Sequence, residues 1–85
     1  MRIEASETFL RLYKKLPPEI KERAKKILEL FETSPGHPSL AHKKMAGQND
    51  IYELRVNLNY RITYQKTGDT AYLRKIGTHD LLRNP

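Results

Sequence analysis

The sequence predicts an α+β fold in which an N-terminal α-helical hairpin packs on one face of a small antiparallel β-sheet, in the order β-α-α-β-β-β. Two observations indicate this fold. Apolar residues recur at helical spacing between residues 9 and 31, and apolar and polar residues alternate from residue 51 onward. Proline, glycine and asparagine separate these segments. Because the chain has 85 residues, we expect a single domain over residues 1–85.

Two helices are predicted after a short edge strand over residues 1–5. Ser6 is a candidate N-cap of the first helix. Pro17-Pro18 ends that helix and begins the second, because proline is tolerated in the first turn of a helix and not in its interior. The second helix is predicted to end near Thr33, before Ser34-Pro35-Gly36. The predicted apolar faces consist of Phe9, Leu12, Tyr13 and Leu16, and of Ile20, Ala24, Ile27, Leu28 and Phe31.

Residues 34–50 are predicted to be mostly loop. This segment contains the basic pair Lys43-Lys44 and a predicted turn over residues 47–50. His37 and His42 are interpreted as loop residues without a functional role.

The first two strands of the predicted meander, over residues 51–57 and 60–65, can be aligned because one face must be apolar. A three-residue loop over residues 57–59 places Val56 opposite Tyr60 and Arg55 opposite Arg61. A two-residue loop would mix apolar and charged residues on each face. The sequence therefore predicts that Arg55 and Arg61 are neighbours on the face away from the helices.

The turn over residues 66–69 sets the register of the last strand. A loop with an even number of residues points Ala71 and Leu73 toward the helices and places Arg74 beside Arg61. An odd loop would bury Arg74 without a partner, which is costly. The even loop is therefore preferred, and it leaves Tyr72 and Ile76 on the outward face.

Composition favours an anionic partner. The net charge is +6 and the sequence pI is about 9.7. Residues 1–42 carry eight basic and six acidic side chains, whereas residues 43–85 carry eight basic and four acidic ones. The chain has no cysteine, no apolar run long enough for a membrane span and no apolar N-terminal secretory core. We expect a cytoplasmic protein without disulfides.

A cationic sheet face with a histidine at its rim fits metal-independent RNA cleavage, in which the 2′-hydroxyl attacks the adjacent phosphate. Such a site must align the nucleophile, move protons and stabilise the crowded phosphorane. His79 is the candidate general acid or base because the ordinary pKa of histidine lies near neutrality. Arg61, and after it Arg55, are the candidates for binding phosphate.

Other charged residues have weaker assignments. Lys43 and Lys44 are candidates for holding an RNA backbone, as are Arg74 beside Arg61 and, if the C-terminus folds over the sheet, Arg83. Glu53 is interpreted as an ion-pair partner of Arg55, and a role in proton transfer is left open. No zinc spacing, paired acidic cluster, phosphate-binding glycine loop or serine or cysteine nucleophile motif occurs, so we expect no metal and no cofactor.

Four segments together resemble the RelE/ParE superfamily of toxins from type II toxin–antitoxin systems. They are Lys43-Lys44-Met45-Ala46-Gly47, the strand Ile51–Val56, the element Tyr60-Arg61-Ile62-Thr63-Tyr64, and Ile76-Gly77-Thr78-His79-Asp80-Leu81-Leu82. The Tyr-Arg element is similar to the RelE branch, and the Gly-Thr-His ending is similar to the YafQ branch. The resemblance covers nearly the whole chain.

The resemblance implies a ribosome-dependent endoribonuclease that cleaves mRNA in the ribosomal A site and is neutralised by a cognate antitoxin. It implies that the free toxin is monomeric and forms a hetero-oligomer with the antitoxin. By position, Arg61 matches the phosphate-contacting arginine of the RelE branch, and His79 matches the catalytic histidine of the YafQ branch. Arg55 stands where those branches have lysine or histidine, and Lys43 where YafQ has another histidine.

The chain also departs from these branches. It lacks the C-terminal aromatic residue that several of them stack on a base, and Asn59 stands where YafQ has an acid. The ParE branch shares the fold but inhibits DNA gyrase and does not cut RNA. Two alternatives therefore stay open: a ParE-like binding toxin, and a catalytically degenerate interaction domain.

Overall fold

The computed structural model describes residues 1–47 and 49–85, and it confirms the predicted fold class. The predicted turn over residues 47–50 includes Gln48, which lies outside the described residues. The elements are β1 (Arg2–Ala5), α1 (Glu7–Lys14), α2 (Pro18–Thr33), a 3₁₀ helix (Pro38–Leu40), β2 (Lys43–Lys44), β3 (Ile51–Arg55), β4 (Tyr60–Thr67), β5 (Thr70–Thr78) and a C-terminal 3₁₀ helix (His79–Arg83). No helix in the described part of the chain is long and apolar enough to cross a membrane.

The helices begin and end where the sequence predicts. The Ser6 hydroxyl accepts a hydrogen bond from the Phe9 amide at 3.0 Å, which is the geometry of an N-cap. Helix α2 begins at Pro18. The missing N–H of proline costs nothing there, because the first N–H groups of a helix have no partner within the helix. The Tyr13 hydroxyl donates to the Lys21 carbonyl at 3.1 Å and so connects the two helices.

The sheet has five strands in the order β1-β5-β4-β3-β2. Strands β2 to β5 pair antiparallel, whereas β1 pairs parallel with β5, so the sheet is mixed. A parallel neighbour is possible because the two helices cross over the sheet between β1 and the later strands. Lys43 and Lys44, which were predicted to lie in a loop, extend the opposite edge by pairing with β3.

The core lies between the helices and one face of the sheet. Phe31 and Tyr64 are fully buried and their ring centroids lie 4.9 Å apart. The buried cluster consists of Phe9, Ile20, Ala24, Ile27, Phe31, Leu40, Leu54, Val56, Ile62, Tyr64, Ala71, Leu73 and Ile76. Ile51 is also buried but lies outside this cluster, on the opposite face of the sheet, which is called the outer face below.

The three-residue loop between β3 and β4 is confirmed. Arg55 pairs with Arg61, and the Val56 amide donates to the Tyr60 carbonyl at 3.0 Å. The Asn57 side-chain oxygen accepts hydrogen bonds from the amides of Asn59 at 2.9 Å and Tyr60 at 2.8 Å. Asparagine therefore closes this turn through its side chain.

The predicted register of β5 is right at its start and wrong at its end. The two-residue loop Gly68-Asp69 is confirmed, with Gly68 at a positive φ of 59°, and Ala71 and Leu73 are buried. A β-bulge then intervenes, because Tyr64 pairs with Leu73 whereas Thr63 pairs with Lys75.

This bulge changes the face of every later residue in β5. Ile76 was predicted to point outward, but it is 2% exposed and packs in the core. Arg74 was predicted to lie beside Arg61, but Arg61 pairs with Gly77, and Arg74 is the extra residue of the bulge. Strict alternation along a strand cannot reveal a bulge, so the faces predicted for the residues after Leu73 do not follow from the sequence.

Candidate active site

Two rows of side chains cross the outer face of the sheet near the β3–β4 turn. Residues paired across neighbouring strands share a face. One row therefore contains Lys43, Glu53, Thr63 and Lys75 on β2 to β5. The next row contains Arg55 and Arg61, followed by Gly77. The predicted placement of both arginines on the outer face is confirmed by this register.

The Arg61 side chain is buried, although it lies on the outer face. Its residue is 6% exposed, and its Nη1 donates to the carbonyls of Asn57 at 2.7 Å, Leu58 at 3.1 Å and Tyr60 at 3.1 Å. Its Nε lies 3.8 Å from Glu53 Oε1. Arg61 therefore holds the β3–β4 turn closed, a structural role that the sequence argument did not anticipate.

One edge of this guanidinium reaches the surface. Nη2 makes no hydrogen bond with any described residue, and no buried side-chain nitrogen or oxygen in the described part of the chain lacks a partner. Nη2 must therefore touch solvent. An approaching phosphate oxygen could bind there while Nη1 keeps its bonds to the turn.

A second arginine holds the same end of β3 from the other side. Arg23 on α2 donates through Nε to the Val56 carbonyl at 3.0 Å. The turn that carries the outer-face residues is thus fixed to the helical layer as well. No sequence pattern indicates this contact, because Arg23 is one of several basic residues on the polar face of α2.

His79 lies at the point where β5 ends and the C-terminal 3₁₀ helix begins. Its amide donates to the Asn59 carbonyl at 3.0 Å, so the β3–β4 turn fixes its backbone. The His79 side chain is exposed between two grooves. One groove has a volume of about 310 Å³ and is lined by Lys43, Lys44, Met45, Ala46, Glu53, His79 and Leu82; we call it the His79 groove.

The structure brings only some of the candidate residues together. Lys43 and Lys44 line the His79 groove with Glu53, whereas Arg55 is exposed in the neighbouring row. Arg83 is exposed on the C-terminal 3₁₀ helix and does not line this groove.

The C-terminal segment, residues 79–85, folds over the outer face. The main-chain oxygen of Pro85 accepts hydrogen bonds from Thr63 Oγ1 at 3.2 Å and Arg74 Nε at 3.1 Å. Lys75 Nζ donates to the Asn84 carbonyl at 2.7 Å. Arg74 and Lys75 therefore hold the chain's own C-terminal segment, and their donors there are not free for RNA.

Sequence reasoning missed an aromatic cluster around His42. The His42 ring lies 5.1 Å from Tyr52 and 5.5 Å from Tyr64, and the Tyr64 hydroxyl bonds to His42 Nε2. Burial lowers the pKa of His42, and the positive charge of Lys66 lowers it further. Burial also raises the pKa of Tyr64. Both shifts favour the neutral forms of the imidazole and the phenol, and the hydrogen bond between them joins the loop after α2 to the sheet.

The fold and this site define a class of protein: a small α+β domain with a helical pair on one sheet face and a cationic groove on the other. The sequence profile of the ParE-like toxin domain matches residues 18–80. The chain therefore belongs to the ParE-like toxin family, and the resemblance to the RelE/ParE superfamily is confirmed.

Individual relatives agree with this family. Toxin RelE3 of Methanocaldococcus jannaschii is 33% identical over 78 residues, which are 89% of this chain and 88% of the relative. A chain of the RelB–RelE antitoxin–toxin complex from Methanococcus jannaschii has a TM-score of 0.78 at 28% identity, over 94% of both chains. YafQ from E. coli strain BL21(DE3) has a TM-score of 0.76 at 18% identity over 96% and 98% of the two chains, a likeness of fold.

Proposed function

We propose that this chain is the toxin of a type II toxin–antitoxin system and acts as a metal-independent, ribosome-dependent endoribonuclease on mRNA. The observation that carries the proposal is the His79 groove, which places an exposed imidazole beside Lys43 and a carboxylate on the outer face. Attack of a 2′-hydroxyl on the adjacent phosphate needs proton transfer and positive charge, and this groove offers both.

The proposed roles follow from position. His79 donates a proton to the leaving 5′-oxygen, and the ammonium group of Lys43 holds a phosphate at the mouth of the groove. Lys44 pairs with Tyr52, so its side chain is proposed to contact RNA from the other side of this sheet edge. Arg55 is exposed and adds positive charge in the neighbouring row. Arg61 keeps the turn closed through Nη1 and offers Nη2 to the scissile phosphate. Of the other candidates, Arg83 is proposed to contact RNA outside the groove.

A cognate antitoxin is the proposed protein partner. The M. jannaschii structure described above is a chain of an antitoxin–toxin complex. We propose that the free toxin is a cytoplasmic monomer and that the antitoxin covers the cationic groove.

The test is cleavage of an mRNA on programmed ribosomes, with the ends mapped by primer extension. The protein should produce 5′-hydroxyl ends within the A-site codon. The His79→Ala variant should lose cleavage, whereas His37→Ala, which removes an exposed histidine outside the groove, should retain it. Intact mRNA with the wild-type protein, or full cleavage by His79→Ala, would overturn the assignment.

A gyrase-binding toxin is the second candidate, because the matching family profile is ParE-like. It predicts that an apolar surface matters more than charge. One exists between the helices and β1, where a groove of about 390 Å³ includes Leu10, which is 49% exposed. Inhibition of DNA supercoiling that survives His79→Ala but is lost in Leu10→Glu would favour this candidate.

A further inference from the structure

We propose that Glu53 is the general base of the reaction and accepts the proton of the attacking 2′-hydroxyl. This proposal rests on the ribonuclease activity proposed above. It assigns the proton acceptor to Glu53, for which the sequence left a role in proton transfer open beside that of an ion-pair partner.

The surroundings of Glu53 suit a proton acceptor. Its side chain is 15% exposed, and it makes no hydrogen bond with any described residue. Its nearest charged partner, Arg61 Nε, lies 3.8 Å away, which is beyond hydrogen-bonding distance. Glu53 is one of the residues that line the His79 groove, so an RNA strand in that groove lies beside its side chain. Glu53 therefore presents free lone pairs to a largely shielded space.

The groups facing Glu53 cannot take this role themselves. Lys43 lies directly opposite Glu53 on β2, and Lys44 lines the same groove. Ammonium and guanidinium groups have no lone pair to accept a proton. Glu53 is the only carboxylate among the described residues that line the His79 groove, and Asp80 lines the other groove beside His79. The carboxylate and the imidazole thus form the acid–base pair of one groove.

The reaction balances with these two groups. A Glu53 oxygen takes the proton of the 2′-hydroxyl, and the 2′-oxygen forms a bond to phosphorus. The bond from phosphorus to the 5′-oxygen breaks, and that oxygen leaves with the electron pair and takes a proton from His79. The products are a 2′,3′-cyclic phosphate and a 5′-hydroxyl, and no water is consumed. The positive charges of Lys43 and Arg61 neutralise the phosphorane during the transfer.

The first test is single-turnover cleavage of ribosome-bound mRNA by Glu53→Gln, which keeps the shape of the side chain and removes its basicity. The rate should fall by about 10²- to 10⁴-fold, the range for loss of an acid–base group. The rate of the wild type should rise with pH at the acidic end, and this limb should be absent in Glu53→Gln. Glu53→Asp, which keeps a carboxylate, should retain the limb at a reduced rate. Ribosome binding should be the same for all three.

The second test distinguishes a base from a residue that only supports Arg61. In a substrate whose 5′-bridging oxygen is replaced by sulfur, the leaving group needs no proton. His79→Ala should then cleave at nearly the wild-type rate, while Glu53→Gln should stay slow. Recovery of Glu53→Gln with this substrate would overturn the proposal.

The outcomes separate this inference from the proposed function. If the wild type cleaves and Glu53→Gln cleaves equally fast with the same pH profile, Glu53 is not the base and the ribonuclease assignment stands. If the wild type cleaves neither substrate, both proposals fail. Should Glu53→Gln not fold, Glu53→Asp decides: loss of the acidic limb in that variant would overturn the inference.

Discussion

Replacing Arg61 with alanine should destabilise the protein as well as affect activity. Nη1 carries two hydrogens, so at most two of its three carbonyl contacts are strong at one time. At about 1–1.5 kcal/mol each, these bonds contribute about 2–3 kcal/mol. The Nε–Oε1 approach of 3.8 Å to Glu53 is beyond hydrogen-bonding distance and adds no hydrogen bond to this sum. We therefore expect Arg61→Ala to lower the free energy of unfolding by about 3 kcal/mol.

Urea denaturation monitored by circular dichroism measures this loss. With a slope of about 1 kcal/mol per molar urea, the midpoint should fall by about 3 M. The matched control is Arg55→Ala, the exposed cross-strand partner of Arg61, which should stay within about 0.5 kcal/mol of the wild type. A loss below about 0.5 kcal/mol in Arg61→Ala would refute the view that Arg61 holds the turn closed.

Three further outcomes are expected. Folding lowers the pKa of His42, so near this pKa the unfolded chain binds more protons than the folded chain does. The free energy of unfolding should therefore fall as the pH drops through about 6.5 and should level off below the folded pKa. Urea denaturation at several pH values should show a weaker pH dependence of this free energy for His42→Gln. Arg74→Ala removes a donor to Pro85, so amide hydrogen exchange should accelerate in residues 81–85 and stay unchanged in β3 and β4; unchanged exchange in residues 81–85 would contradict this. In Gly77→Ala the new Cβ would lie 3.2 Å from Leu81 Cδ2 and would displace the 3₁₀ helix that Leu81 shares with His79. The rate of RNA cleavage should therefore fall even where the free energy of unfolding changes little. A loss of stability with an unchanged cleavage rate would contradict the view that this helix positions His79.

Much of the fold was predictable because its determinants are local. Ser6, Pro18 and the apolar spacing of the helices act within a few residues of themselves, and each was confirmed. The β3–β4 register was predictable because it follows from one constraint, that a face of the sheet must be apolar. His79 and Lys43 could be assigned to the candidate site from their positions along the chain, and their chemical roles stay proposals.

What could not be predicted depends on contacts between distant residues. Because of the bulge at Arg74, strict alternation predicts the wrong face for Ile76. The bulge arises from the pairing of β5 with β4 and not from the sequence of β5 alone. The fold of the C-terminal segment over Thr63 joins residues 22 positions apart. The bond between Tyr64 and His42 spans the same separation. No local pattern in the sequence marks such pairs.

The β3–β4 turn connects stability to the proposed chemistry. Arg61 Nη1 binds the carbonyls of Asn57 and Leu58, and the next carbonyl, that of Asn59, accepts from the His79 amide. Opening the turn would therefore move the imidazole and release Glu53 from its ion pair at the same time. Loss of activity in an Arg61 variant cannot by itself assign phosphate binding to Arg61. Only a variant that keeps the turn closed, measured by an unchanged urea midpoint, can separate the role of Nη2 at the phosphate from the role of Nη1 in the fold.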